Sequence, residues 1–189
     1  MEKGEVKKLV VIGGSAGSLE VLMGVLPKLR PNMDFPVIVV LHRKSADDNT
    51  LEELFAMKTA VPVMEIEDKT KLLNGYLYVV PADYHLLFEA DGTLSLDASE
   101  KVHYSRPSID VVFESAAMAF REGVVAILLS GSNSDGALGC VRVSENGGTV
   151  IVQDPDDAEM RYMPASAIDL LQPDLVIPGR EIADVIIRI

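Results

Sequence analysis

The sequence predicts an α/β domain with a doubly wound, mostly parallel sheet, helices on both faces and one β-hairpin insertion. Three observations carry that expectation. Residues 9–12, 35–41 and 124–129 are apolar runs without polar alternation, as in strands covered on both faces. Stretches with apolar residues at helical spacing alternate with them, the pattern of a parallel sheet with crossover helices. Glycine and small polar residues close the runs at Gly13, Gly14, Ser130 and Gly131, giving turns at strand ends.

Taken in order, strand 9–12 leads through Gly13 and Gly14 into a helix carrying Leu19, Leu22, Val25, Leu26 and Leu29. Strand 35–41 follows, then a helix with Leu51, Leu54 and Phe55 that Asp48 or Asn49 can cap. Residues 61–66 and 76–80 read as further strands. Runs 86–88 and 93–96 flank Asp91-Gly92, a hairpin signal. Ser108 is placed to cap a helix with Ile109, Val112, Phe113, Ala116 and Phe120 on one face. Strand 124–129, turn 131–136, helix 137–145 ended by Asn146-Gly147-Gly148, and strand 149–152 form another βα unit. A helix from Pro164, a strand at 175–177 and a terminal helix with Ile182, Val185 and Ile186 inward complete one domain spanning 1–189.

Composition narrows the function classes. Seventeen Lys and Arg against 29 Asp and Glu give a net charge of -12, so a phosphate backbone is repelled and no nucleic-acid partner is expected. The single Cys140 permits no intrachain disulfide and is read as a small core residue. The opening residues lack the apolar stretch of a signal peptide, and no run approaches the length of a membrane span. A cytoplasmic protein without membrane insertion is the expectation.

In a doubly wound sheet the ligand crevice lies outside the carboxyl ends of the strands, where turns 13–18, 41–43 and 130–136 would meet. Gly13-Gly14-Ser15-Ala16-Gly17 fits the Gly-x-Ser-x-Gly elbow, which exposes a serine hydroxyl between strand and helix; a glycine turn with a helix-capping serine fits equally well. Backbone N–H groups at the following helix start can receive an oxyanion. A serine nucleophile needs a base, and of three histidines only His42 ends a strand on this edge, although it can also be a plain loop residue. His85 and His103 are structural or cleft-lining candidates. Asp135 is the acid best placed to hold the imidazole, or it caps the helix that follows it. Residues 13–18 match neither Gly-x-Gly-x-x-Gly nor a phosphate loop, and no Cys and His cluster has zinc spacing, so neither cofactor nor metal is expected. Glu65, Glu67, Asp68, Asp154, Asp156 and Asp157 read as solvated loop acids.

From about Leu9 to the end the chain resembles the catalytic domain of CheB-type chemotaxis receptor methylesterases. The resemblance rests on 12–17, Leu41-His42, Pro81-Ala82 with His85-Leu86, Arg106-Pro107-Ser108-Ile109-Asp110, 130–136 and Met163-Pro164, and on the order Ser15, His42, Asp135. It implies cofactor-free hydrolysis of γ-glutamyl methyl esters on chemoreceptors, often with glutamine deamidation. Ser15 would be nucleophile, His42 base and Asp135 its orienter. Ala16, Gly17 and Ser132 are the candidates for the oxyanion site and cleft. The resembling enzymes often carry Thr and Met where this chain has Ala16 and Ser132. Many also carry a receiver domain, which the eight residues before Leu9 cannot form, so a stand-alone form or a fragment is expected. The alternative to an enzyme is a non-catalytic signalling module of the same fold that binds receptors or a methyltransferase.

Overall fold

A computed structural model describes residues 6–43 and 50–189. The sheet has seven strands: β1 (Leu9–Gly14), β2 (Val37–Leu41), β3 (Val63–Glu65), β4 (Leu77–Val79), β7 (Val124–Leu128), β8 (Thr149–Gln153) and β9 (Leu175–Ile177). Their order is β3-β4-β2-β1-β7-β8-β9 and every pairing is parallel. The intervening β5 (His85–Phe88) and β6 (Leu94–Asp97) form the expected antiparallel hairpin, closed at Gly92.

Side-chain alternation in these strands sends residues to two different cores. Leu9 and Val11 of β1, with Ile38 and Val40 of β2, face α3 (Ile109–Phe120), α4 (Ala137–Glu145), α5 (Tyr162–Leu170) and the hairpin. Val10 and Ile12, with Val37 and Val39, face α1 (Ser18–Val25), α2 (Thr50–Lys58) and α6 (Gly179–Ile186). Both faces are covered, which is why the strands are apolar throughout.

Several boundaries differ from the expectation for local reasons. The first helix stops at Val25 and tightens to a 3₁₀ turn because Pro27 has no N–H to continue it, and Leu19 lies exposed. Helix α5 begins two residues before Pro164, which sits among the first N–H positions that need no intrahelical partner. Strands β3 and β4 are shorter than 61–66 and 76–80. Ser108 does cap α3, accepting from Val111 N–H at 3.4 Å. The expected caps Asp48 and Asn49 lie outside the described residues.

Two helix starts are locked face to face beside β1 and β7. Asp135, just before α4, accepts Ile109 N–H at 2.7 Å and Asp110 N–H at 3.0 Å from the start of α3. Asp110 in turn accepts Gly136 N–H at 2.9 Å and Gly139 N–H at 2.6 Å at the start of α4. Each carboxylate therefore caps the other's helix, where the unsatisfied N–H groups and the helix dipole favour negative charge. As a helix cap, Asp135 serves α3 and leaves α4 to Asp110.

Because Asp110 satisfies two buried donors, Asp110→Ala should lower unfolding free energy by about 1–3 kcal/mol. Asp110→Asn should recover part of the loss, since the amide oxygen still accepts. Urea unfolding followed by circular dichroism checks both. Equal stability of wild type and Asp110→Ala would show that the clasp contributes nothing.

Candidate active site

The register of β1 fixes where the candidate residues emerge. Gly14 pairs with Leu41 of β2 and Gly13 with Leu128 of β7, so Ser15, His42 and the 129–136 loop leave adjacent strands on the same edge. The chain passes from β1 to β2 on one side and returns to β7 on the other, making this edge the topological switch point.

Ser15 sits half-buried in a turn held from several directions. Its N–H donates to Ser130 O at 2.9 Å, while its carbonyl accepts Ser18 N–H at 3.1 Å and Ser18 Oγ at 2.5 Å. Gly17 has φ 81°, in the left-handed region, and a Cβ there would stand 2.6 Å from Glu159 Cβ and 2.7 Å from Ser130 Oγ. Only glycine meets both conditions without displacement. Ala16 is exposed, and among the described residues neither its N–H nor that of Gly17 has a hydrogen-bond partner. Two backbone N–H groups beside a serine can donate to a developing oxyanion.

A buried polar chain anchors this turn. Ser130 Oγ donates to Ala16 O at 2.7 Å and accepts Met160 N–H at 2.8 Å. Ser130 N–H donates to Gln153 Oε1 at 3.0 Å, and Gln153 Nε2 donates to Asp157 at 2.9 Å. Asp157 also accepts Gly179 N–H at 2.7 Å at the start of α6. That bond and Gln153 hold its carboxyl below the usual range against slight burial. Sequence reasoning took Ser130 as a strand terminator and as part of the 130–136 motif, and Asp157 as a solvated acid. Asp157 is exposed, yet it ties β8 to α6. The signal available was the polar Gln153 ending an otherwise apolar strand.

His42 lies mostly buried at the end of β2, with its N–H on Gly14 O at 3.2 Å. Its Nε2 meets Asp135 Oδ2 at 2.6 Å. An ionised Asp135 accepts there, so Nε2 carries the proton and Nδ1 keeps the lone pair. No hydrogen bond joins Ser15 Oγ to His42, and such contacts are often long before substrate binds.

Asp135 is fully buried and takes four donors: His42, Ser108 Oγ at 2.8 Å, and the Ile109 and Asp110 N–H groups. Burial alone would raise its pKa, but His42 and the α3 donors outweigh burial and hold the carboxyl below the ordinary range. Asp110 goes the other way, raised by burial first and by the neighbouring Asp135 charge, against the pull of Gly139, His103 and Gly136. Ser108 and Asp110 are thus partners of the acid. Sequence reasoning had Ser108 as a helix cap and Asp110 only as part of a motif.

The remaining candidates separate clearly. Ser132 is exposed, one residue beyond Gly131, where an added Cβ would collide with Met163 Cε, and no hydrogen bond links Ser132 to Ser15. His85 is buried, accepting Ser108 N–H on Nδ1 at 3.1 Å and bonding Glu100 O through Nε2 at 2.9 Å, which makes it a structural tie. His103 is exposed and pairs with Asp110 Oδ2 at 3.2 Å. Cys140 is buried and its thiol pKa is pushed up by burial first and by Asp110, so it is an inert core residue. His103, Asp110 and Asp135 bring ligand atoms within 4.8 Å of one another. The oxygens of Asp135 and Oδ1 of Asp110 already serve backbone and side-chain donors, which argues against a cation there. Among the solvated acids, Glu65 instead pairs with Arg43 at 3.0 Å.

Among the described residues no helix is long and apolar enough to cross a membrane. The family model for CheB methylesterase matches residues 10–186. A putative protein-glutamate methylesterase/protein-glutamine glutaminase of Leptospira interrogans is 38% identical over 180 residues, covering 95% of this chain and 93% of that one. The protein-glutamate methylesterase/protein-glutamine glutaminase of Thermotoga maritima is 31% identical over 185 residues, 96% of this chain but 54% of its own length. The crystal structure of the Thermotoga maritima CheB methylesterase catalytic domain superposes with a TM-score of 0.92 at 32% identity, covering 97% of this chain and 99% of that one. With its fold and nearly its whole length matched, the chain belongs to the CheB methylesterase family, a family of ester hydrolases.

Proposed function

We propose that this protein hydrolyses γ-glutamyl methyl esters of chemoreceptors through Ser15, His42 and Asp135, with glutamine deamidation as a second reaction of the same site. The observation that carries this reading is the 2.6 Å His42–Asp135 pair, held by a fully buried carboxylate on the sheet edge that also presents Ser15. A signalling module that only bound partners would need neither a buried imidazole–carboxylate pair nor two open N–H groups beside an elbow serine.

Ser15 Oγ attacks the ester carbonyl as His42 Nδ1 takes its proton, and the oxyanion is received by the Ala16 and Gly17 N–H groups. His42 returns the proton to the departing methoxide, releasing methanol and leaving a glutamyl ester on Ser15. Water, deprotonated by His42, then attacks that ester; the serine recovers its proton and the product is a glutamate side chain. With glutamine as substrate, ammonia leaves in place of methanol. Asp135 keeps the proton on Nε2 and stabilises the imidazolium. The familiar triad uses the ring the other way round, with Nδ1 on the acid.

Ser15→Ala should lower methanol release from methylated receptors by on the order of 10⁴ or more while leaving the circular dichroism spectrum unchanged. Near wild-type release by this variant would end the serine mechanism.

Asp135→Asn should reduce turnover by up to about 10⁴, since an amide can donate to Nε2 and so place the proton on Nδ1. The depressed carboxyl of Asp135 also has a stability signature. Its contribution is present above the unfolded-state pKa and is lost as pH falls through the lower folded value. Unfolding free energies of wild type and Asp135→Asn should therefore converge on acidification. A pH-independent gap between them would contradict the ionised, hydrogen-bonded carboxylate.

Ser132 tunes the entrance in this reading, because a short polar side chain leaves water near the oxyanion. Ser132→Met should raise turnover on the methyl ester and penalise a bulkier ester. If both rates and their ratio stay unchanged, Ser132 does not border the reacting carbonyl.

A further inference from the structure

We infer that the turn at 101–106 is the substrate-reading element of this site, and that it selects a peptide segment bearing a carboxylate close to the scissile ester. The inference rests on the methylesterase reading above and adds the substrate chemistry. A cleft of about 390 Å³ opens with His42 in its wall and is otherwise lined by Arg43, Asp83, Lys101, Tyr104, Ser105 and Arg106. It thus begins at the catalytic base and runs along the turn.

The lining of this cleft is richer in cations than the molecule as a whole. The chain carries -12 overall, yet its wall here holds three cations and one acid, Asp83. Arg43 is already paired with Glu52 at 2.9 Å and Glu65 at 3.0 Å. Lys101 and Arg106 have no carboxylate within ion-pair distance among the described residues. Arg106 is fixed by donating through one terminal nitrogen to Ala98 O and Ser99 O, each at 2.7 Å, and its Nε is buried without a partner. Asp83 is tied to the same segment through its N–H on Arg106 O at 3.1 Å. Lys101 and Arg106 thus keep their head groups open to a carboxylate, with Asp83 in the same wall and Asp97 within electrostatic reach of Arg106. An acidic side chain beside the ester meets the two cations at close range, whereas the repulsive field of the whole molecule decays over roughly 8 Å at 0.15 M salt.

The backbone of the turn explains how an aromatic side chain is presented here. Val102 and Ser105 exchange N–H···O bonds of 3.1 and 2.9 Å, and the two residues between them, His103 and Tyr104, have φ 49° and 62°. Such positions favour Asn and Gly. Here they hold His103 on Asp110 and leave Tyr104 97% exposed on the cleft wall, an unusual degree of exposure for a large ring. Tyr104 supplies the apolar contact and Lys101 and Arg106 the charge.

The test uses peptides with one γ-glutamyl methyl ester flanked by Glu, Gln or Lys, at about 0.15 M salt. Comparing kcat/KM between peptides within each variant cancels any general change in the enzyme. Wild type should favour the Glu over the Gln neighbour by about three- to fivefold, the scale of an exposed ion pair. Lys101→Glu should reverse the order. Tyr104→Gly, which accepts the turn conformation freely, should raise KM for every peptide and keep the Glu/Gln ratio. A ratio that is the same in wild type and Lys101→Glu overturns the assignment, and an unaltered KM in Tyr104→Gly removes Tyr104 from it. Fluorescence anisotropy with peptides carrying norleucine in place of the ester separates the two layers. Charge-ordered binding that Lys101→Glu reverses, without methanol release from the ester peptides, would strike the methylesterase reading and leave the cleft standing.

Discussion

One buried carboxylate organises this site. Asp135 is fully removed from solvent, and an isolated charge in that position would be strongly penalised, so its ionised form depends on the donors around it. Three of these come from 108–110 at the start of α3 and one from His42 at the end of β2. Neither segment is near Asp135 in sequence. The acid therefore joins three parts of the fold, and the orientation of His42 follows from how α3 meets the sheet. Asp110 completes the junction by holding the start of α4, which fixes the loop that carries Asp135. Two carboxylates side by side repel, and their opposite pKa shifts show how the structure resolves this: the one with more donors stays charged more readily.

The elbow is held by a different device on the other side of β7. Ser130 is the first residue beyond 129 and is buried, with its hydroxyl on the elbow carbonyl and its N–H on Gln153. The serine turn is thereby referred to β7, β8 and the start of α6 as one rigid unit. A group positioned by strands and buried hydrogen bonds keeps its geometry without help from substrate, which suits electrostatic preorganisation of the reacting atoms.

The fold was largely readable from the sequence because a parallel sheet covered on both faces imposes a strong pattern. Val37–Leu41 and Val124–Leu128 have almost no other stable reading than inner strands between two helix layers. The edge strands were overextended by a residue or two at their ends, because residues such as Ile66 and Val80 satisfy strand propensity although the paired registers stop at Glu65 and Val79. For the site, Ser15, His42 and Asp135 were visible as polar residues at strand ends. Ser108, Asp110, Ser130 and Gln153 were not, since each looks locally like a cap or a strand end. Their roles arise only from contacts across 23 to 114 residues of chain, and Asp135 capping α3 instead of its own helix is an instance that no local rule supplies.

The 101–106 turn stands apart from this rigid frame in its energetics. Left-handed conformations at His103 and Tyr104 each cost on the order of 1–2 kcal/mol relative to glycine. A segment selected for stability alone would place Asn or Gly there. Part of the cost is offset locally, by the His103–Asp110 pair and by the Arg106 bonds to Ala98 and Ser99. Nothing in the core depends on Tyr104, which touches solvent almost everywhere. Strain held in place by its surroundings at the mouth of a reactive cleft is the arrangement expected where side-chain presentation matters more than local stability. On the proposed reading the strands and the Asp135 junction hold the reacting groups, while the turn selects the peptide that brings its ester to His42.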